Sequence, residues 1–391
     1  MKKHDMLPAV IGILFLSFNL RAPITAVGSI IELIQHDYGL SNAMAGFITT
    51  LPLLAFALVS PFVAWFSERL GHARMMLGGL VLILIGEGVR SYTGVTGLYL
   101  GTAVMGVGIA IGNVVIPALI KLKFADRVGP VTSVYTSGMC IFAAVGAGIS
   151  VPLAEGLHLG WQHALAAWFV LTLATVAIWM PQVLPNPHHA GRPRNTHRSV
   201  SIWKSGLAWW VTLFMGTQSL IFYSLVAWLP TIVIAKGMSD TFAGNMALLF
   251  QLMAIPSTLV FPVMCGKFRD QKPLVAAVCV LYALGMLGFL LSASPVLLTL
   301  SVIGMSVGMG GSISLSIAFI SMRSPSPVRA AELSGMSQSA GYLFAALGPV
   351  ITGFLFDLTG GWTVPLLVFL AMIGFLFVCG MPAGSDRTVH R

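Results

Sequence analysis

The sequence predicts an all-α membrane protein of twelve transmembrane helices, arranged as two parallel six-helix repeats. Three observations carry this prediction. The 391 residues are 57% hydrophobic and only 8% charged, with a mean hydropathy of +0.91. Soluble domains carry about 25% charged residues, so lipid must be the solvent for most of this chain. Apolar runs of about 20 residues, the length that crosses a bilayer core, recur twelve times. Lys and Arg fall almost only in alternate connections between those runs.

The runs are read in order as follows. Helix 1 covers Leu7–Ile34, helix 2 Asn42–Phe66, helix 3 Ala73–Ser91 and helix 4 Gly97–Ile120. Helix 5 covers Val131–Ala154 and helix 6 Trp161–Met180. A polar stretch rich in Pro, His and Arg follows, Pro181–Lys204. Helix 7 covers Leu207–Ala235, helix 8 Phe242–Cys265 and helix 9 Pro273–Ser292. Helix 10 covers Val296–Ser321, helix 11 Ala331–Phe356 and helix 12 Trp362–Met381. The expected division is a six-helix bundle over 1–180, a basic linker over 181–204, and a second bundle with a short tail over 205–391. The opening Met-Lys-Lys-His-Asp before an apolar run resembles a signal peptide. The run continues beyond a normal signal core and contains Arg21, so it reads as a retained first helix.

Charge placement tests the partition. With the N-terminus inside, cytoplasmic positions hold 18 of the 21 basic residues. Only Arg90 and Lys236 lie at external ends, and Arg21 lies within a helix. A wrong helix count would scramble that alternation, so both termini are expected in the cytoplasm of an inner-membrane protein. The formal charge of +9 is thus an orientation signal. No aromatic-basic surface suited to nucleic acid is visible.

The halves echo each other. Met105-Gly106-Val107-Gly108 matches Met305-Ser306-Val307-Gly308 at an offset of 200. Ala45-Gly46 matches Ala243-Gly244 at 198, Ser137-Gly138-Met139 matches Ser334-Gly335-Met336 at 197, and Gly160-Trp161 matches Gly361-Trp362 at 201. Six helices per half is an even number, so both repeats enter the membrane in the same sense.

Arg21 is the main functional signal. Its place some 14 residues into a helix of ~1.5 Å rise puts it near the bilayer centre. An arginine there costs at least ~2.5 kcal/mol on insertion scales, so it must face a wet cavity, a partner or a ligand. Its fork of donors suits a planar anion such as a carboxylate, a nitro group or cyanate. The structural alternative is an arginine bonded to helix carbonyls or to a neighbouring amide. Uncharged polar residues at similar depth could complete a site: Asn113, Gln218, Tyr223, Gln251, Gln338 and Tyr342. For each, an interhelical hydrogen bond is the plain alternative. Gln338 and Tyr342 are one turn apart and share a face. Asn19 points away from Arg21. Ser312, Ser314 and Ser316 read as packing.

Other chemistry is sparse. Glu87 is the one acidic residue clearly within an apolar helix, three residues before Arg90. The pair reads as a structural i,i+3 contact, with a proton-carrying carboxylate as the lesser reading. The glycines of helices 4 and 10 lack the strand–turn–helix setting of a dinucleotide loop and read as close packing. No Walker A motif, metal-ligand cluster or activated nucleophile is present, so neither cofactor, metal nor enzyme activity is expected. The cysteines Cys140, Cys265, Cys279 and Cys379 lie in apolar runs without metal spacing and read as packing residues.

The connection Ala64-Trp65-Phe66-Ser67-Glu68-Arg69-Leu70-Gly71-His72-Ala73-Arg74 resembles the loop signature of the major facilitator superfamily. Glu68, Arg69, Gly71 and Arg74 are the matches, and Ala64 replaces the usual leading glycine. The resemblance implies a charged latch that gates the two halves. Leu51-Pro52-Leu53-Leu54-Ala55-Phe56-Ala57, Gly112-Asn113 with Pro117 and Ile120-Lys121, Trp228-Leu229-Pro230, Ser334-Gly335-Met336-Ser337-Gln338-Ser339 and Asn19-Leu20-Arg21 are similar to the cyanate and 2-nitroimidazole transporter subfamily. That resemblance implies a monomeric major facilitator fold and transport of a small polar or anionic solute, with helices 1, 4, 7 and 10 lining the cavity and a proton as a possible coupling ion. The arginine found early in helix 4 of many proton-coupled members falls at Thr102. Rival expectations are a multidrug exporter of lipophilic compounds and a solute-binding membrane sensor.

Overall fold

A computed structural model describes residues 3–40, 42–183 and 201–389. Among these, twelve helices are long and apolar enough to cross a membrane. Helix 1 comprises Lys3–Asn19 and Ala22–Ser29, and a further short helix, Ile31–Tyr38, follows it. Helices 2 to 6 are Asn42–Leu70, His72–Tyr92, Gly94–Lys123, Val128–Val151 and Gly160–Trp179. Helix 7 is Gly206–Ala235, and helix 8 comprises Asp240–Leu252 and Ala254–Cys265. Helices 9 to 12 are Lys272–Leu291, Pro295–Met322, Pro327–Thr359 and Thr363–Ala383. Of the expected linker, 184–200 lies outside the described residues.

Two expected helices are not continuous. Helix 1 stops at Asn19 and restarts at Ala22. Pro23 has no N–H to give the Asn19 carbonyl four residues back. Chain direction is recovered at Arg21, whose carbonyl accepts the amides of Ile24 (3.1 Å) and Thr25 (3.0 Å). Helix 8 breaks at Met253 for the same reason, because Pro256 cannot donate to the Leu252 carbonyl.

The sequence repeat reappears as a repeat of contacts. Helices 1 and 5, 2 and 4, 3 and 4, and 3 and 6 pack together in the first half. Helices 7 and 11, 8 and 10, 9 and 10, and 9 and 12 do so in the second. Close approaches correspond too. A Cβ added at Gly86 would lie 2.6 Å from the Met105 nitrogen, and one at Gly285 would lie 2.5 Å from the Met305 nitrogen. Only glycine lets these backbones meet, which is how helices associate without a hydrophobic drive between them.

Outward faces are apolar. Leu58, Phe62, Leu284, Val350 and Phe354 are exposed where lipid would cover them. Inside, the helix 10 hydroxyls satisfy themselves on their own helix. Ser312, Ser314 and Ser316 donate to the carbonyls of Met309, Gly311 and Ile313, which fits their reading as packing residues.

The halves meet along helices 2 and 11 and along helices 5 and 8, a pairing that respects the repeat. Hydrogen bonds cross this seam toward the end that carries the basic loops. Ser133 donates to the Leu259 carbonyl (2.7 Å), Thr136 to that of Thr258 (3.2 Å), and Ser339 to that of Ala57 (2.6 Å). Ser321 donates to the Pro117 carbonyl at 3.1 Å. Backbones also touch: a Cβ at Gly129 would lie 2.2 Å from the Pro262 oxygen. That end of the bundle is sealed.

Candidate functional site

Above the seal, the break in helix 1 sets Arg21 at the seam. Arg21 is the N-cap of the segment Ala22–Ser29, with φ −128° and ψ −44°. A capping residue leaves the helix axis, so its side chain is free of the helical stacking that a mid-helix arginine would have. Its guanidinium crosses to the second half and donates to the Tyr223 hydroxyl at 3.0 Å. It also lies 6.0 Å from the Phe222 ring centroid, at the limit of a cation–π contact.

Aromatic side chains surround this contact. The Tyr342 ring is 6.1 Å from that of Tyr223 and 5.1 Å from that of Phe56. Tyr342, Tyr135 and Cys140 all lie within Coulombic range of the guanidinium. The Tyr135 hydroxyl approaches the Asn113 side-chain oxygen at 3.4 Å. Asn113 is tied across the seam by its backbone, whose carbonyl accepts the Ser334 hydroxyl at 3.0 Å. Arg21 is half-buried and forms no salt bridge among the described residues. The site is therefore a cation walled by phenols and phenyl rings, able to take an anion or a polarised planar group.

Of the sequence-predicted residues, the fold gathers Arg21, Tyr223, Tyr342 and Asn113. Gln218 and Gln338 are buried on helices 7 and 11, each with its side-chain carbonyl oxygen unpartnered. Gln218 donates its amide to neighbouring Ser219 at 2.7 Å. Gln251 is half-buried on helix 8, and no hydrogen bond joins it to the cluster. Asn19 turns away, as expected: it donates to the Phe15 carbonyl (2.8 Å) and to Thr175 (2.7 Å). Sequence reasoning missed Tyr135, Phe56 and Phe222. Tyr135 carried a usable signal, a phenol in an apolar helix; the two phenylalanines carried none.

The expected contact between Glu87 and Arg90 is not an ion pair. Both are fully buried, yet neither Glu87 oxygen has a hydrogen-bond partner. Arg90 instead donates to the Pro23 carbonyl at 2.7 Å. Three-residue spacing brings the two side chains to one face, but the carbonyl freed at the break in helix 1 competes for the guanidinium.

The expected latch lies at the basic-loop end. Gly71 caps helix 3 at φ +84°, a left-handed geometry that favours glycine in the turn. Arg69 stacks over the Trp65 ring at 3.6 Å, and Glu68 and Arg74 are exposed. In the second half a buried arginine does the tying. Arg323 donates to the Gln271 side chain and to the Ala383 carbonyl (2.9 Å), and its own carbonyl accepts the Val389 amide (2.8 Å). A nearby cavity of about 770 Å³, lined by Trp210, Pro382 and Arg387 among others, is remote from Arg21.

The sequence pattern of the Major Facilitator Superfamily matches residues 11–331. The chain belongs to that superfamily. It is 43% identical to the "uncharacterized transporter YycB" of Bacillus subtilis (strain 168), covering 100% of this chain and 96% of the relative. It is 37% identical to the 2-nitroimidazole transporter of Escherichia coli (strain K12), over 97% of this chain and 96% of the relative. The cyanate transport protein CynX of the same bacterium is 26% identical over 90% of each chain. Among solved structures, the proton:xylose symporter XylE superposes with a TM-score of 0.82 over 100% of this chain and 98% of its own, at 13% identity. FucP in its outward conformation gives 0.75 over 96% and 98%, also at 13%. These superfamily members share the fold of twelve spans in two six-helix halves, and this chain is a multi-pass membrane transporter of small solutes.

Proposed function

We propose that this transporter moves a small anionic or polarised planar solute by alternating access, with Arg21 as its charge anchor. The observation that carries the reading is the Arg21–Tyr223 contact, a half-buried guanidinium without a carboxylate partner placed on the seam between the halves. A cation held there attracts an anion or a nitro group and disfavours organic cations, which speaks against a multidrug exporter of cationic compounds. Relatives named for 2-nitroimidazole and cyanate support the same solute class.

The remaining roles follow. Tyr223, Tyr342 and Asn113 form the walls of the site, and Gln218, Gln338 and Gln251 lie on the helices that would reshape it. With the basic-loop end sealed, a solute would reach the site from the opposite end. Basic loops favour the cytoplasm, so the site faces outward in a bacterial inner membrane, with both termini inside. Glu68, Arg69, Gly71 and Arg74 would re-form contacts as the halves rock. The protein works as a monomer.

The test is flux. The purified full-length chain, reconstituted in liposomes, should carry 2-nitroimidazole or cyanate down a gradient at a saturable rate. Saturable binding without flux would make the protein a sensor and overturn the proposal.

A further inference from the structure

The unpaired carboxyl of Glu87 sits behind the break that positions Arg21, and its surroundings are unusual. Helix 3, which packs against helices 4 and 6, presents it fully buried, and Arg90 one turn on reaches the Pro23 carbonyl of helix 1. From helix 6, Thr172 lies beside it but in no aligned hydrogen bond with it. The Thr172 hydroxyl is already committed, donating to the Asn19 side-chain oxygen at 2.7 Å. The hydroxyl also lies 3.3 Å from the Trp168 carbonyl, a second acceptor on its own helix. With its proton on either of these acceptors, Thr172 turns lone pairs toward Glu87. A carboxylate would meet them unfavourably, whereas a carboxylic acid can donate to them.

The charged group that faces Glu87 is Arg90, on its own helix. Helix 1 contributes Asn19 and the Pro23 carbonyl, helix 6 contributes Thr172, and helix 4 contributes the Gly101 backbone against neighbouring Gly86. Arg90 spends one nitrogen on the Pro23 carbonyl, while its Nε and other terminal nitrogen have no partner. These are the donors that a Glu87 carboxylate would recruit. Pro23 is two residues past Arg21, in the first turn of the segment that Arg21 caps.

We propose that Glu87 is a proton-binding site whose charge state sets the position of Arg21. With a proton on Glu87, Arg90 holds the Pro23 carbonyl and fixes the segment Ala22–Ser29 in the arrangement seen here. When the carboxyl releases its proton to water at the near end of helix 3, the carboxylate draws the whole Arg90 guanidinium toward itself, carrying the nitrogen that served Pro23 away with it. The grip on Pro23 is lost, the segment after the break moves, and Arg21 leaves Tyr223. A burial with partners missing on both side chains is a bistable element of the kind that couples a ligand to a conformational change. Only the consequence for solute transport rests on the function proposed above; the proton site is tested without any solute.

The experiment uses the full chain in lipid nanodiscs over a pH series. Infrared spectra should show a protonated-carboxyl C=O band in the wild type that fades as pH rises and is lost in Glu87→Gln. Spin labels placed at Leu122→Cys and Phe268→Cys, both at the sealed end, should report a distance that changes with pH in the wild type and is pH-independent in Glu87→Gln. An unchanged band in the variant, or a wild-type distance that ignores pH, overturns the proposal. If Glu87→Gln does not fold, Glu87→Asp must shift the band; an unshifted band assigns it elsewhere and equally overturns the proposal. A protein that passes these tests yet moves no 2-nitroimidazole or cyanate keeps its proton site and loses the transport reading.

Discussion

Gly129 of helix 5 and Pro262 of helix 8 meet backbone to backbone across the two halves, so closely that a Cβ on Gly129 would stand 2.2 Å from the Pro262 oxygen. Neighbouring Ser133 and Thr136 add hydrogen bonds to the same helix. This is a seal that can form only with glycine in place. Gly129→Val should therefore destabilise the sealed state by about 1–3 kcal/mol, the usual cost of overpacking. That shifts the balance between states roughly 5- to 150-fold. Distances between spin labels at Leu122→Cys and Phe268→Cys should lengthen; an unchanged distribution contradicts the seal.

The matched approaches of Gly86 to helix 4 and Gly285 to helix 10 lie inside each half. Here a side chain has nowhere to go in any state. Gly86→Leu and Gly285→Leu should each lower stability by about 1–3 kcal/mol or more. Gly88→Ala, at a position with open space around it, should be tolerated. Thermal unfolding of the detergent-solubilised proteins checks the contrast.

Arg323 holds the end of helix 10, the Gln271 loop and the C-terminal segment in one knot. It is buried, so truncation leaves the Gln271 side-chain oxygen and the Ala383 carbonyl without this donor. Arg323→Ala should cost about 1.5–3 kcal/mol, and should expose the tail near Asp386 to protease. Arg323→Lys should recover only part, since an ammonium cannot span the same fork of acceptors.

Tyr223→Phe keeps the ring and removes the hydroxyl that Arg21 grips. Two effects oppose each other. The guanidinium loses a hydrogen bond worth about 0.5–1.5 kcal/mol, yet a donor is freed for the solute. If the hydroxyl only stands in for a ligand, affinity for 2-nitroimidazole rises; if it positions Arg21, affinity falls by up to about tenfold. The account here makes Tyr223 a wall that orients the guanidinium, so it expects the fall. Calorimetric titration decides.

Much of this architecture was legible in the sequence. Bilayer thickness imposes a length on each helix, and loop charge imposes alternation, so twelve spans could be counted from composition alone. The repeat was visible at Met105 and Met305 because those glycine-flanked positions serve the same close packing. Counting apolar residues hid the break in helix 1, although Pro23 marks it. That break changed the meaning of Arg21 from a mid-helix charge to a cap that reaches across the seam. Phe56 and Phe222 could not be read, since an aromatic residue in an apolar helix carries no mark of whether it faces lipid or cavity. Glu87 and Arg90 misled because spacing fixes a shared face and not a bond: the nearest acceptor for Arg90 came from another helix.

The central claim is that Arg21 holds the solute. The direct measurement is thermal stabilisation of the purified protein by small anions and by 2-nitroimidazole, in wild type and in Arg21→Ala. A ligand that binds the folded state raises Tm by mass action, by about 2.7 kcal/mol of stability at a hundredfold excess over Kd. The account predicts stabilisation of the wild type and none of the folded Arg21→Ala protein. Full stabilisation of that variant would make Arg21 structural and move the site to the amides and tyrosines of helices 7 and 11.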